Sequence, residues 1–343
     1  MNIDILNDYK SRGLIFNQVH PNLPLIIWNY TPETQYGGHW DEITLMCRGL
    51  VTDIDGKIIA KGFPKFFNME EEKHEATDQF EVFEKLDGSL ILVFWYAGEM
   101  IVASRGSFTS PYAIEAKRLL IEKYPIFIKY PNRKLTYCFE LIGFEQIVVS
   151  YPEPNLIITG IFSTSGQELE LSAFTEAFPM YVDLVVKKFD GLDWKNIKQL
   201  NWKNSEGFVV RFSNGQRCKI KFEDYIKLHR QMTNLSTTSI WEALAAGEPV
   251  SSILNDVPDE FYDKVHDFEE LLTDQYHKLK SIHEIMFIGL LTKNYSRKDF
   301  AEEVNRLVHP DAPLIASVLF AMLDGKDYSK HIWKKIEPEY AKL

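Results

Sequence analysis

Glu84-Lys85-Leu86-Asp87-Gly88-Ser89-Leu90 is the stretch on which the reading of this 343-residue chain turns. It places a lysine and an Asp-Gly turn between runs that read as strands. Alone, a Lys-x-Asp-Gly pattern arises by chance in roughly a few per cent of chains this long, and a solvated turn explains it. Three later elements follow in order, each on a run read as strand: Phe139-Glu140, Glu206-Gly207-Phe208-Val209-Val210, and Lys219-Ile220-Lys221. A carboxylate on an apolar strand is expensive to bury without a partner, so Glu140 and Glu206 are expected to meet one. Lys219 and Lys221 stand two apart on a strand and therefore point to one face.

Outward from that stretch, residues 43–52 read as a strand entering the Asp-Gly turn of Asp55-Gly56, and 58–60 complete a hairpin. Residues 89–96 and 100–104 flank the turn Ala97-Gly98-Glu99. Further strands are expected at 135–141, 156–162, 207–212 and 217–222, and helices at 113–123 and 171–178. The fold class is α+β, built on antiparallel hairpins. After about Leu235 the apolar period becomes helical. Ser239-Ile240-Trp241-Glu242 reads as a capping box opening a helix that stops at Gly247. Phe261, Val265, Phe268, Leu272, Leu279, Ile282 and Ile285 recur at helical intervals, Ser296 and Asp299 cap another helix, and 312–323 and 328–336 complete the set. The expected organisation is one domain over 1–238 and a smaller all-helical domain over 239–343, with no internal repeat.

Composition is that of an ordinary globular protein, 45% hydrophobic and 25% charged, which excludes collagen-like, disordered and disulfide-scaffold classes. Apolar runs such as 90–96 are far shorter than the ~20 residues of a spanning helix. Met1-Asn2-Ile3-Asp4 lacks the basic and apolar pattern of a secretory signal, so the cytoplasm is the expected location. Cys47, Cys138 and Cys218 are too far apart for a metal knuckle and read as small buried strand residues, and the nine histidines show no ligand spacing. Any metal is therefore expected to be a hard cation. The net charge of −11 is carried by both parts of the chain, so nucleic acid would have to be met by a local cationic groove.

The ordered set resembles the covalent nucleotidyltransferases, the superfamily of ATP-dependent ligases and mRNA capping enzymes. Cys47-Arg48-Gly49, Pro64-Lys65-Phe66-Phe67-Asn68, Lys85-x-Asp87-Gly88-Ser89-Leu90, Ser104-Arg105-Gly106-Ser107 and Lys219-Ile220-Lys221, with Tyr225 and Leu228-His229, are similar to the phage T4 RNA ligase 1 family over about residues 25–230. The resemblance implies a ligase-type adenylation domain of antiparallel sheets in which Lys85 attacks ATP to form a lysyl-AMP. AMP then moves to an RNA 5′-phosphate, and a 3′-hydroxyl attacks the activated end. Arg48, Lys65, Lys219 and Lys221 would assist catalysis and contact the nucleotide. Glu84, Asp87, Gly88, Arg105 and Tyr225 would join the nucleotide site. Glu140 would bind the ribose, and Glu206 the metal or the lysine; both are the candidate metal ligands, for magnesium with manganese as substitute. Trp28-Asn29-Tyr30 resembles an aromatic segment near the family's triphosphate site, although Trp28 also reads as core. Arg105 stands where the family's most familiar ligase has lysine, exchanging a point charge for a bidentate fork. The implied partners are RNA, as a broken tRNA or single-stranded ends, and an end-healing kinase-phosphatase, for a monomer encoded by a phage and acting in the host cytoplasm. DNA ligases, capping guanylyltransferases and a catalytically inactive relative are the rivals; the first two usually add a β-barrel where this chain turns helical.

The chemistry also follows from the residues. A lysine attacks only when neutral, and a reference pKa near ~10.4 leaves on the order of one amine in a thousand neutral at pH 7. Arg48, Lys65, Lys219 and Lys221 gathered round Lys85 would lower that value, because like charges disfavour the ammonium, and would neutralise departing pyrophosphate. The three thiols lie beside motif positions, so bulky thiol reagents are expected to slow nucleotide transfer.

Overall fold

A computed structural model describes residues 1–71, 79–144, 148–194, 196–232, 235–254, 257, 261–306 and 312–341. The chain divides into two compact units, Met1–Met232 and Thr233–Leu343. In chain order the strands of the first unit are β1 (Ile15–Val19), β2 (Leu25–Tyr30), β3 (Arg48–Asp53), β4 (Ile58–Ala60), β5 (Phe67–Asn68), β6 (Phe80–Lys85), β7 (Gly88–Tyr96), β8 (Glu99–Ser104), β9 (Leu135–Ile142), β10 (Asn155–Ser163), β11 (Glu168–Leu169), β12 (Lys188–Phe189), β13 (Gly207–Phe212) and β14 (Arg217–Lys221). They form three sheets, ordered β1-β2-β3-β4, β11-β10-β9-β7-β8 and β12-β6-β13-β14-β5, antiparallel throughout except for the pairing of β14 with β5. The α+β class with antiparallel sheets is as the sequence reads.

Strand alternation decides what each sheet buries. On β13, Phe208, Val210 and Phe212 enter a core with Val82, Ile220 and Phe222, which leaves Gly207, Val209 and Arg211 on the opposite face. A second core lies between β7, β9 and β10 and the helix Pro111–Lys123, filled by Ile91, Phe127, Phe139, Phe174 and Phe178. Fully burying one such aromatic contributes about 2–3 kcal/mol.

Two stretches depart from the sequence reading. Residues 43–46 are not strand: the Asp41 carboxylate accepts from the Ile43 and Thr44 amides, and Thr44 Oγ1 accepts from the Asp41 amide at 2.8 Å, closing a capping box on the helix Glu42–Met46. The strand begins only at Arg48. In the second unit, Ser236 and not Ser239 is the N-cap of Thr237–Ala246; Ser239 supplies the reciprocal hydroxyl, donating to the Ser236 carbonyl and accepting from its amide. Gly247 ends that helix in the left-handed region.

The second unit is otherwise helical among its described residues. Tyr262–Leu291 runs thirty residues, Arg297–Asn305 opens on the Ser296–Asp299 capping box, and Ala312–Leu323 and Ser329–Lys335 follow. Phe300, Val304, Ile315 and Leu319 form its core, and the Tyr276 ring stacks on Trp333 at 4.6 Å. Among the described residues, no helix is long and apolar enough to cross a membrane.

Candidate active site

The register of β6, β13 and β14 puts the chemistry-bearing residues in rows. Gly207 of β13 pairs with Lys85 on one side and Lys221 on the other, and Val209 pairs with Phe83 and Lys219. Lys85, Lys219 and Lys221 therefore share one face of the sheet. Only glycine fits at 207: its φ is +150°, and an added Cβ would lie 1.9 Å from the Ile220 carbonyl oxygen. The bare backbone there lets two basic strands close on it.

Lys85 ends β6. Its Nζ lies 2.6 Å from Glu206 Oε1, with Glu206 almost wholly buried and the amine largely so. The group touching the amine is a carboxylate, because a buried anion needs a counter-charge and Lys85 supplies it. Glu206 is thus paired with Lys85.

The turn after Lys85 is fastened by its aspartate. Asp87 accepts from the Val149 amide at 3.0 Å and from the Tyr225 hydroxyl at 3.2 Å, while its own amide donates to Tyr151 Oη at 3.0 Å. Asp87 and Tyr225 therefore position the lysine turn. Tyr151 was not legible in the sequence, since no motif surrounds it. Gly88 follows because a Cβ would lie 2.5 Å from the Leu141 carbonyl oxygen and 2.8 Å from Glu140 Cγ.

One pocket holds Lys85, Glu84, Arg48 and Glu140 together. Glu140 is half-buried along this pocket, and desolvation of its carboxyl pushes it up to about 7, with Lys85 and Arg48 drawing it partly back. Burial also raises Glu84. Arg48 lies with its guanidinium 5.6 Å from the Phe66 ring centroid, and among the described residues its buried Nη1 has no hydrogen-bond acceptor. A buried donor left so is costly, and a ligand oxygen would satisfy it.

Other candidates fall elsewhere. Lys65 does not line this pocket: its Nζ sits 5.3 to 5.7 Å from the rings of Tyr30, Trp40 and Phe67. Arg105 lies over the other part of that cluster, donating to Tyr30 Oη at 3.1 Å. Trp28 is no ligand residue: it is fully buried, with its indole N–H donating to Thr52 Oγ1 at 3.0 Å, as a core tryptophan must. The thiol expectation is also corrected. All three cysteines are wholly buried and so shielded from a bulky reagent, and burial pushes Cys47 and Cys138 up to about 12, so those two offer no thiolate at neutral pH.

For a divalent ion the donor set is sparse. Among the described residues no group of three or more His, Cys, Asp or Glu side chains forms a cage. Two carboxylates, one engaged by Lys85, fit a hard cation held largely by water and substrate phosphates.

An RNA ligase family model matches residues 46–226, more than half of the chain. An RNA ligase of Rhodothermus phage RM378 is 23% identical over 321 residues, covering 71% of this chain and 72% of that one. A putative bifunctional polynucleotide kinase/RNA ligase of Autographa californica nuclear polyhedrosis virus is 25% identical over 255 residues, covering 65% of this chain and 36% of the other. Among solved structures, an archaeal ATP-dependent RNA ligase aligns over 78% of this chain and 74% of its own, with a TM-score of 0.48 and 15% identity.

Proposed function

The chain belongs to the RNA ligase family, and on that premise we propose that it joins RNA ends with ATP by way of a nucleotide carried on Lys85. The observation that carries this reading is the Lys85 amine held 2.6 Å from Glu206 on the sheet face it shares with Lys219 and Lys221. As the amine attacks the α-phosphate, an N–P bond forms, the α–β P–O bond breaks and pyrophosphate leaves. Glu206 is placed to take the proton that the ammonium sheds. Lys219 and Lys221 neutralise charge on the phosphates, and the Arg48 Nη1 donor is satisfied by one of their oxygens. Magnesium would be held by Glu140 and the substrate phosphates, with Glu206 as the alternative carboxylate where it is not engaged with the lysine, and would supply further neutralisation. Glu140 otherwise holds the ribose.

AMP then passes to an RNA 5′-phosphate, and a 3′-hydroxyl attacks that activated end, sealing the strand and releasing AMP. Each step is phosphoryl transfer, in which positioning and electrostatics do most of the work. Asp87, fixed by Val149, Tyr151 and Tyr225, holds the nucleophile's turn for all three. Lys65 and Arg105, on their aromatic cluster, serve the outer phosphates or the RNA end. The substrate class that follows is RNA bearing a 5′-phosphate and a 3′-hydroxyl, such as a broken tRNA in the cytoplasm. Where breakage leaves other ends, a kinase-phosphatase must make these. The helical unit would select the RNA.

The test is joining of 5′-phosphate, 3′-hydroxyl RNA beside sequence-matched DNA, with ATP and magnesium. Sealed RNA with release of AMP is expected. Equal sealing of DNA, or dependence on GTP instead, would replace this reading with one of its rivals.

A further inference from the structure

The basic row on β14 does not end at its two lysines. Arg217, Lys219 and Lys221 occupy alternate positions, and Arg217 pairs with Arg211 of β13, which pairs in turn with Glu81 of β6. At about 3.3 Å per residue, the Arg217–Arg211–Glu81 level lies about 13 Å along the strands from the Lys221–Gly207–Lys85 level. That separation is comparable with the length of a nucleoside monophosphate. One pocket reaches both levels: Lys85 lines it at one end and Glu168, Arg211 and Arg217 line it at the other, with apolar Phe83 and Val209 at the level between them and Leu90 also in the lining.

The far end is a wall of ion pairs. Arg217 Nη2 donates to both carboxylate oxygens of Glu168, at 2.7 Å to Oε2, and its guanidinium lies 4.7 Å from the Phe63 ring centroid. Arg211 donates from Nε to Glu81 at 2.7 Å and from Nη2 to Glu170 at 2.9 Å, and its Nη1 reaches Glu168 at 3.5 Å. Arg217 and Arg211 are 10% and 13% exposed in their side chains. Desolvating such groups is expensive, and apolar residues of similar volume would often serve stability as well. The Glu168 carboxylate has about four lone-pair sites, and the arginines do not fill them all.

We propose that Glu168 and Arg217, braced by Arg211, form the base-reading wall of the nucleotide pocket and set which nucleobase is transferred to Lys85. The inference rests on the reading of Lys85 as the nucleotide acceptor. Side by side the pair offers an acceptor and a donor, the complement of a 6-amino group next to a ring nitrogen, as adenine presents them. Guanine presents an acceptor beside an N–H, the reverse order. The apolar residues between the levels take the faces of the base. A site built to hydrogen-bond such a group rejects analogues that lack it far more strongly than an apolar slot can.

The experiment measures lysyl-nucleotide formation by the full chain with ATP, GTP, CTP and purine riboside triphosphate, which lacks the 6-amino group, for wild type, Glu168→Gln and Arg217→Met. The wild type is expected to prefer ATP over the purine riboside analogue, and Glu168→Gln to shrink that preference on the order of tenfold or more. If the variants lower the rate with every triphosphate by the same factor, the wall is structural and the inference is overturned. Should a variant fail to fold, the wild-type panel still decides, because equal use of ATP and the analogue overturns it too. Absence of any adduct from wild type with all four triphosphates would instead overturn the reading of Lys85.

Discussion

The face of β6, β13 and β14 and the helical surface of the second unit both carry charged side chains, and they use them differently. On the sheet face, charges two residues apart along a strand meet partners brought from elsewhere in the fold, and protein largely covers them: Lys85 with Glu206, Arg217 with Glu168, Arg211 with Glu81. On the helices, oppositely charged residues four apart form pairs such as Lys280–Glu284 and Lys298–Glu302, both at 4.0 Å and both open to water. Screening leaves the helical pairs little energy, whereas low local dielectric makes the sheet pairs strong and intolerant of losing a partner. Charge is put to chemical use where strand alternation packs it.

That contrast can be broken at several depths. Lys85→Ala should lower nucleotide transfer by at least about 10³-fold, because it removes the nucleophile, and should also lower the thermal midpoint, because it leaves the buried Glu206 without its counter-charge. Gly207→Ala should cost about 3 kcal/mol in a urea titration, because its Cβ meets the Ile220 carbonyl and both flanking strands must shift. Glu140 gives a pH signature. Its carboxyl binds a proton up to about pH 7 in the folded chain but only to about 4.5 when unfolded, so the stability it contributes is complete below 4.5 and is lost as pH rises through 7. Measured with chelator and without nucleotide, the wild type should lose stability relative to Glu140→Gln across that window. Tyr151→Phe strips the acceptor from the Asp87 amide and should cost about 1 kcal/mol, read as a roughly fivefold slower transfer. Lys298→Ala, on the helical surface, should change stability by less than about 0.5 kcal/mol.

What could be read in the sequence follows the same division. Hairpins with Gly turns, the alternation of Lys219 and Lys221, and the capping box at Ser296 are local patterns, and they are where the sequence puts them. The helix Glu42–Met46 was missed because its apolar run resembles a strand, while the deciding hydrogen bonds come from Asp41 just outside it. Lys65 grouped with the phosphate-binding cations by motif, yet only the packing of Trp40 and Tyr30 shows that its charge rests on aromatic rings. Glu168 lies far from Arg217 in the chain, and no periodicity joins two residues from separate sheets. The resemblance leaves Glu206 either the metal or the lysine, and the pairing with Lys85 becomes visible only in the structure, where a buried carboxylate takes the nearest amine.

The central claim is that the Lys85 amine, held by Glu206, is the atom that accepts the nucleotide. Incubating the full chain with ATP and magnesium, then mapping peptides by mass, tests it directly. The account predicts one AMP moiety on the peptide containing Lys85, labile to acid as a phosphoramidate is, and absent from Lys85→Ala. An adduct on another lysine, or one that persists in Lys85→Ala, would contradict it.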